Sequence, residues 1–233
     1  RCTGYRPIID AAKSLNKVHK KDKFSKNKSK VIKLLKKIKT KNIFINNENK
    51  KFFSPKTIKD LKKIIKKYPN SNFLSGGTDL SLKVTKERDD LYNIINLKDI
   101  RELNFIKKNK NFIEVGAATP LIEFENYIKD YYSDFNSVLK RYGSVQIRNL
   151  ATIGGNIATA SPIGDTLPIL LSLNAKLIIE NTKNKKVLSI NDFFISYRKT
   201  KLKKDEFIHS IRIPLYKNNI FKAYKISKRF DDD

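Results

Sequence analysis

The amino-acid sequence predicts an α+β fold, a small parallel α/β unit followed by an antiparallel sheet with helices. Three observations predict it. Between Phe52 and Leu97 the apolar stripes come in the order helix, strand, crossover, strand, which is the order that builds parallel strand pairs. After Leu103 the pattern changes to short apolar runs joined by lysine- and asparagine-rich turns, the mark of hairpins. A stretch from Val18 to Lys51, mostly lysine, asparagine and serine, separates all of this from an opening helix. With 233 residues, 39% of them hydrophobic, the chain can bury one large core or two small ones.

In chain order, "YRPIIDAAKSLNKV" (5–18) reads as a helix: Pro7 suits the first turn, and Ile8, Ala11, Ala12, Leu15 and Val18 share a face. Residues 19–50 read as a basic linker whose one apolar stripe, "VIKLLKKI", supports a helical turn or two. In "FFSPKTIKDLKKIIKKYP", Ser54 caps a helix, Pro55 takes its first position, Ile58, Leu61, Ile64 and Ile65 form the buried stripe, and Pro69 ends it. "NFLSGG" and "LYNIINL" read as strands on either side of a glycine turn. "LNFIKKNKNFIEVGAA" is a hairpin, Thr119 and Pro120 open a helix through Tyr132, and "DFNSVLKRYG" adds helical material. "AKLIIENTKNKKVLSI" is a second hairpin, and "DEFIHSIRIP" and "NIFKAYKISKRF" are further strands.

Composition narrows the function. No apolar run is long enough to cross a bilayer, and no signal-peptide pattern opens the sequence. One cysteine allows no internal disulfide, and two distant histidines assemble no ordinary metal site, so a reducing, cytoplasmic setting is expected. The chain opens at Arg1, contains no methionine and stops at "KRFDDD", which predicts an interior fragment. A net charge of +27 invites a nucleic-acid reading. The lysines, however, are spread over helices, turns and linker alike. No helix-turn-helix, zinc-finger or RNP signature accompanies them, and a general compositional bias accounts for them more simply.

Two glycine passages stand out. In "SGGTD", Gly76 and Gly77 follow a strand and present consecutive amides beside the Thr78 hydroxyl, a concavity suited to an anion. It has neither the lysine of a P-loop nor the spacing of a dinucleotide fingerprint, and taken alone it reads better as an ordinary turn. "ATIGGNIATASPIGD" gathers Gly154, Gly155, Asn156, Thr159, Ser161 and Asp165 in what reads as a loop free of lysine, although lysine fills almost every other loop. Two polar, uncharged, tightly turning segments suit a long ligand with a diphosphate at its middle.

These passages carry a resemblance. "FLSGGTDL", "VGAATPL", "ATIGGNIATASPIGDTLP", "FFISYRKTKLKKDEFIHSIRIP" and "FKAYKISKRFDDD", in this order, resemble the FAD-binding domain of the molybdenum hydroxylases, nearest to the xanthine dehydrogenase branch. The resemblance covers residues 50–233, and "RCTGYRPIIDAA" is similar to the end of the preceding iron–sulfur domain.

The resemblance implies a two-subdomain, PCMH-type FAD-binding fold, divided as 1–18 (end of the helical 2Fe-2S domain), 19–50 (linker), 51–215 (FAD-binding domain) and 216–233 (start of a C-terminal flavoprotein domain). It implies FAD contacts from Phe73, Leu74, Ser75, Gly76, Gly77, Thr78, Asp79 and Leu80 around the diphosphate. Thr152, Asn156, Thr159 and Asp165 would bond phosphates or sugar hydroxyls, with Tyr142 and Ile208 as apolar contacts. Lys225 would stand as a cation at the flavin, and Cys2 as a thiolate ligand of a 2Fe-2S cluster whose companion cysteines are not in this chain. Arg198, in "YRKT", is read as a structural clamp outside the site. No catalytic acid or base is implied. The expected work is electron relay: a molybdopterin centre on another domain or subunit oxidises a purine, iron–sulfur clusters carry the electrons to FAD, and NAD takes them as hydride. An aldehyde, carbon monoxide or nicotinate hydroxylase is the alternative within the family, and a basic nucleic-acid-binding module the alternative outside it.

Overall fold

A computed structural model of the chain describes residues 4–15, 22–38, 41–216 and 220–228. Cys2, the expected cluster ligand, lies outside the described residues, as do residues 16–18 of the expected first helix. The chain divides into two compact units, Arg1–Thr40 and Lys41–Asp233.

The first unit contains α1 (Tyr5–Leu15) and α2 (Lys23–Lys37). α2 is four turns long where the sequence reads as linker with a turn or two. Asp22 starts it early, accepting from the amide of Ser25 at 2.6 Å, and the apolar stripe extends back to Phe24.

The second unit opens with β1 (Ile43–Asn47) and β2 (Lys50–Ser54), an antiparallel hairpin turning at Glu48, whose φ is 47°. β1 lies inside the stretch expected to be linker. Its stability is not local: the strand forms because Phe44 stacks on Phe53 with ring centroids 5.0 Å apart, a pairing that lysine-rich surroundings conceal. Next come α3 (Ile58–Lys67), β3 (Asn72–Leu74), α4 (Leu80–Thr85) and β4 (Asn93–Asn96). Thr57, not Ser54, caps α3, accepting from the amide of Asp60 at 3.1 Å. Ser54 instead ends β2 and donates to Asp99 at 2.9 Å, leaving Pro55 in the connection before the helix. Leu61 and Ile65 are fully enclosed, each worth roughly 1.5–3 kcal/mol of burial. The sheet order is β1-β2-β4-β3, with β2 and β3 both parallel to β4, so the expected parallel unit carries one antiparallel edge strand.

The chain continues as β5 (Ile106–Lys108), β6 (Phe112–Gly116), α5 (Leu121–Ile128), α6 (Ser133–Lys140), α7 (Val145–Leu150), α8 (Ile153–Thr159) and α9 (Thr166–Ser172). It ends with β7 (Lys176–Glu180), β8 (Lys185–Ser189), β9 (Phe194–Ser196), β10 (Lys199–Thr200) and β11 (Phe207–Pro214). α5 stops four residues short of Tyr132, and in the turn that follows the Ile128 carbonyl accepts from the amides of both Tyr131 and Tyr132 at 3.0 and 2.8 Å. The sheet β5-β6-β11-β7-β8 is antiparallel throughout, as expected, with β11 at its centre. Residues 220–228 form no strand. They run across the surface, tied down by side chains rather than by a sheet edge. None of the helices among the described residues is long and apolar enough to cross a membrane.

Two cores result. Phe53, Leu61, Ile65, Ile95 and Phe207 anchor the smaller, while α5, α6, α8 and α9 pack with the second sheet around the larger. A bulge at His209 interrupts the pairing of β11 with β7. The extra residue brings Ile208 onto the same side as Ile211 and Ile213 in the larger core, while Phe207 reaches the smaller one. Burial pushes the His209 imidazole below its ordinary value of 6.5, helped by Lys185 and opposed by Glu180, Glu114 and Glu102. Below pH 6.5 the unfolded chain therefore binds this proton more readily than the folded one. Stability should fall on acidification through that window, by at most about 1.4 kcal/mol per pH unit. His209→Gln should flatten this part of a plot of urea midpoint against pH.

Candidate functional site

A cleft of about 1490 Å³ runs between the glycine turn after β3 and a wall built by α7, α8, α9 and β11. Of the fifteen FAD contacts expected from the sequence, fourteen line it: Phe73, Ser75, Gly76, Gly77, Thr78, Asp79, Leu80, Tyr142, Thr152, Asn156, Thr159, Asp165, Ile208 and Lys225. Leu74 does not. It lies in β3, and its Cδ1 supports the turn from behind, 3.1 Å from where a Cβ on Gly77 would stand.

The two glycine passages meet at their backs. Thr152 donates its hydroxyl to that of Ser75 at 3.1 Å, across 77 residues of chain. A Cβ on Gly76 would lie 1.8 Å from the Leu150 carbonyl oxygen, so the backbone itself fills that place. Gly77 is needed for a different reason, its φ of +75°. The amide of Ser81 reaches the Gly77 carbonyl at 3.1 Å, but no acceptor among the described residues engages the amides from Gly76 to Leu80. Five consecutive N–H groups of cleft-lining residues thus have no acceptor among the described residues, a local partial positive charge.

The second passage differs from its reading as a loop. It folds into α8 and the turn before α9, and its amides from Ile153 to Asn156 are already satisfied. Ile153 donates to the Thr119 carbonyl (3.2 Å), Gly154 to that of Ala117 (3.0 Å), Gly155 to the Thr152 hydroxyl (3.1 Å) and Asn156 to the Thr152 carbonyl (2.9 Å). The first turn of α8 therefore offers side chains rather than open amides. Asn156, only 8% exposed, donates to the Tyr142 hydroxyl at 2.9 Å and accepts from Thr166, while Thr159 donates to the Asn156 carbonyl at 3.0 Å. These groups hold the wall in shape before they touch any ligand.

Residues 220–228 complete the rim. Arg141 donates to the Lys225 carbonyl and the Ser227 hydroxyl, both at 2.7 Å, and the Lys225 ammonium lies 2.9 Å from both the Arg141 carbonyl and Asp165. Lys225 and Asp165, which the sequence reading placed separately against a cofactor, are one ion pair. Arg198 also lines the cleft, a residue the sequence reading left outside it. It forks onto Asp79, and that carboxylate, through the hydrogen bond and despite some desolvation, holds the guanidinium above its ordinary value. Its sequence signal was an arginine where lysine supplies most cations, since the planar fork is the feature lysine lacks.

Open amides, long apolar walls and a few converging polar groups fit an elongated ligand with an anionic centre. Comparison with known proteins identifies it. Residues 47–216 match the family described as the FAD binding domain in molybdopterin dehydrogenase. The chain belongs to this family.

The xanthine dehydrogenase of Blastobotrys adeninivorans is 36% identical over 216 residues, 85% of this chain. The nicotinate dehydrogenase FAD-subunit of Eubacterium barkeri is 30% identical over 186 residues, 76% of this chain and 63% of that subunit. The chain spans 15% of the length of the former. Among solved structures, a carbon monoxide dehydrogenase from Hydrogenophaga pseudoflava that lacks the Mo-pyranopterin moiety superimposes with a TM-score of 0.73 at 21% identity. That match covers 81% of this chain and 67% of its own. A quinoline 2-oxidoreductase from Pseudomonas putida gives 0.70 at 19% identity, covering 77% and 63%. These structures share the α+β fold. The open amides of the glycine turn and the size of the cleft fit the cofactor for which the FAD-binding family is described.

Proposed function

We propose that this chain is the flavin station of a molybdenum hydroxylase of the xanthine dehydrogenase type. The observation that carries the reading is the row of amides from Gly76 to Leu80, without an acceptor among the described residues, at a cleft of about 1490 Å³. The diphosphate of FAD would accept from those amides. Thr152, Asn156, Thr159 and the Asp165–Lys225 pair shape the opposite wall and offer contacts to phosphates or sugar hydroxyls. Tyr142 and Ile208 give flat and apolar surfaces for the rings. When bound, FAD supplies a carrier that takes electrons from iron–sulfur clusters and delivers them as hydride to NAD. The chain's own share is to bind, to orient and to exclude water. Lys225 can stabilise added negative charge nearby, although Asp165 offsets part of its field.

Within the whole protein, residues 1–18 would close a helical 2Fe-2S domain, with Cys2 as a ligand, and 19–50 would lead into the flavin domain, β1 already belonging to its sheet. Residues 51–215 would form that domain, and 216–233 would begin a further flavoprotein domain. A molybdopterin-binding domain or subunit would carry out purine oxidation, in the cytoplasm. Identity to a xanthine dehydrogenase over 85% of the chain supports this substrate class.

The intact protein should purify yellow, and heating should release FAD, not FMN, at one equivalent per chain, as read by absorbance and chromatography. A colourless, well-folded protein whose binding to DNA falls steeply with salt would overturn the reading in favour of a nucleic-acid module.

A further inference from the structure

Asp79 stands at the head of α4, where an aspartate ordinarily turns its carboxylate onto its helix's own first amides. Here it makes no such bond. Both oxygens accept from Arg198 instead, Nη1 to Oδ2 at 3.0 Å and Nη2 to Oδ1 at 3.1 Å. The fork joins the glycine turn to the β9–β10 hairpin at the cleft that both residues line. With the two side chains 43% and 33% exposed, solvent screens the pair and limits what even this fork adds to stability. Arg198 nevertheless holds a φ of 51°, a left-handed torsion that glycine or asparagine would adopt at lower cost. Torsional cost at a residue whose ion pair is screened in this way points to a task in the site.

The surroundings supply that task. Asp79 places a carboxylate beside amides that are open to an anion. Left unpaired, it would act against an anionic ligand twice: its charge would repel a diphosphate, and its lone pairs would compete for the amides of the same turn. We infer that Arg198 is a positioning residue that neutralises Asp79 and holds it aside, keeping the Gly76–Leu80 amides available to the ligand. The inference rests on the diphosphate reading above. It requires the fork, since a guanidinium occupies both oxygens at once and an ammonium does not.

The test is a titration of the intact apoprotein with FAD, followed by flavin fluorescence. It compares the unaltered protein, Arg198→Ala, Arg198→Lys, Asp79→Asn and the double variant Arg198→Ala/Asp79→Asn. Arg198→Ala should raise the Kd about tenfold, with Arg198→Lys in between. Asp79→Asn alone should bind more tightly than Arg198→Ala, because the carboxylate that needs neutralising is gone. The double variant should return to within about threefold of the unaltered protein, because removing the carboxylate removes the reason for the arginine. A double variant as weak as Arg198→Ala would overturn the inference, since an arginine that contacts the ligand or merely ties down the hairpin is not rescued at Asp79. Should Arg198→Ala not fold, Arg198→Lys against Arg198→Lys/Asp79→Asn decides the same question. A folded, unaltered protein that takes up no FAD would overturn the diphosphate reading, and this inference with it.

Discussion

Gly76→Ala should destabilise the protein by about 3 kcal/mol and abolish flavin retention, whereas Gly77→Ala should cost only about 1 kcal/mol. Torsion angles alone would rank the two the other way, because Gly77 has the positive φ of +75°. The difference lies in what an added methyl group meets. At Gly77 the nearest atom is Cδ1 of Leu74 at 3.1 Å, the end of a flexible side chain that can move. Alanine there bears a left-handed penalty of about 1–2 kcal/mol, partly offset by the smaller entropy of its unfolded chain. At Gly76 the methyl would stand 1.8 Å from the Leu150 carbonyl oxygen and 2.5 Å from its carbon. That backbone cannot retreat. The Ala151 amide is tied to Ile147 at 2.7 Å and the Ala151 carbonyl accepts from Leu121 at 2.8 Å, so the junction of α7 and α8 is held from both sides. The glycine turn must move instead, carrying its open amides away from the cleft. Urea midpoints of the two variants, with flavin content per chain, check the order; equal losses at both positions would mean that the turn and α7 are not in this contact.

The same contact marks how far the sequence could be read. Both glycine passages were visible as breaks in a lysine-rich chain, and the structure brings them to one cleft. The second passage reads as a loop, yet it is a helix packed on Ala117 and Thr119, and the amides of Ile153, Gly154, Gly155 and Asn156 are used internally. Partners far apart in the chain decide such matters, and no local pattern records them. β1 escaped notice for the same reason, its stack on Phe53 being invisible in its own five residues. Periodic features were legible: the α3 stripe, the β5–β6 and β7–β8 hairpins and the alternation of β11 follow from residues close in sequence. The bulge at His209, which returns Ile208 to the larger core, was not.

Arg148→Met should be as damaging as Gly76→Ala to folding, and its rescue should separate stability from cofactor binding. Arg148 and Glu125 are each 8% exposed in their side chains, with Nε and Oε2 2.9 Å apart. The approach is close but poorly aligned, so Coulomb attraction rather than a good hydrogen bond joins those two atoms. The guanidinium also donates through Nη1 to the carbonyls of Tyr142 and Gly143, at 3.1 and 2.8 Å, and so holds the turn that sets Tyr142 in the cleft wall. Removing the arginine alone leaves a buried carboxylate without its counter-charge, a loss of about 3–5 kcal/mol. Replacing both partners, as Arg148→Met/Glu125→Met, removes the stranded charge, and buried pairs exchanged for apolar side chains are often close to neutral in stability. Most of the lost stability should therefore return in the double variant, measured by urea midpoint. FAD affinity should not return with it, because the Arg148 guanidinium no longer bridges the Tyr142 and Gly143 carbonyls and so no longer braces the turn behind the Tyr142–Asn156 contact. A double variant that stays as unstable as Arg148→Met would show the pair to be net stabilising in its own right, and recovery of both stability and affinity would remove Arg148 from any part in shaping the cleft.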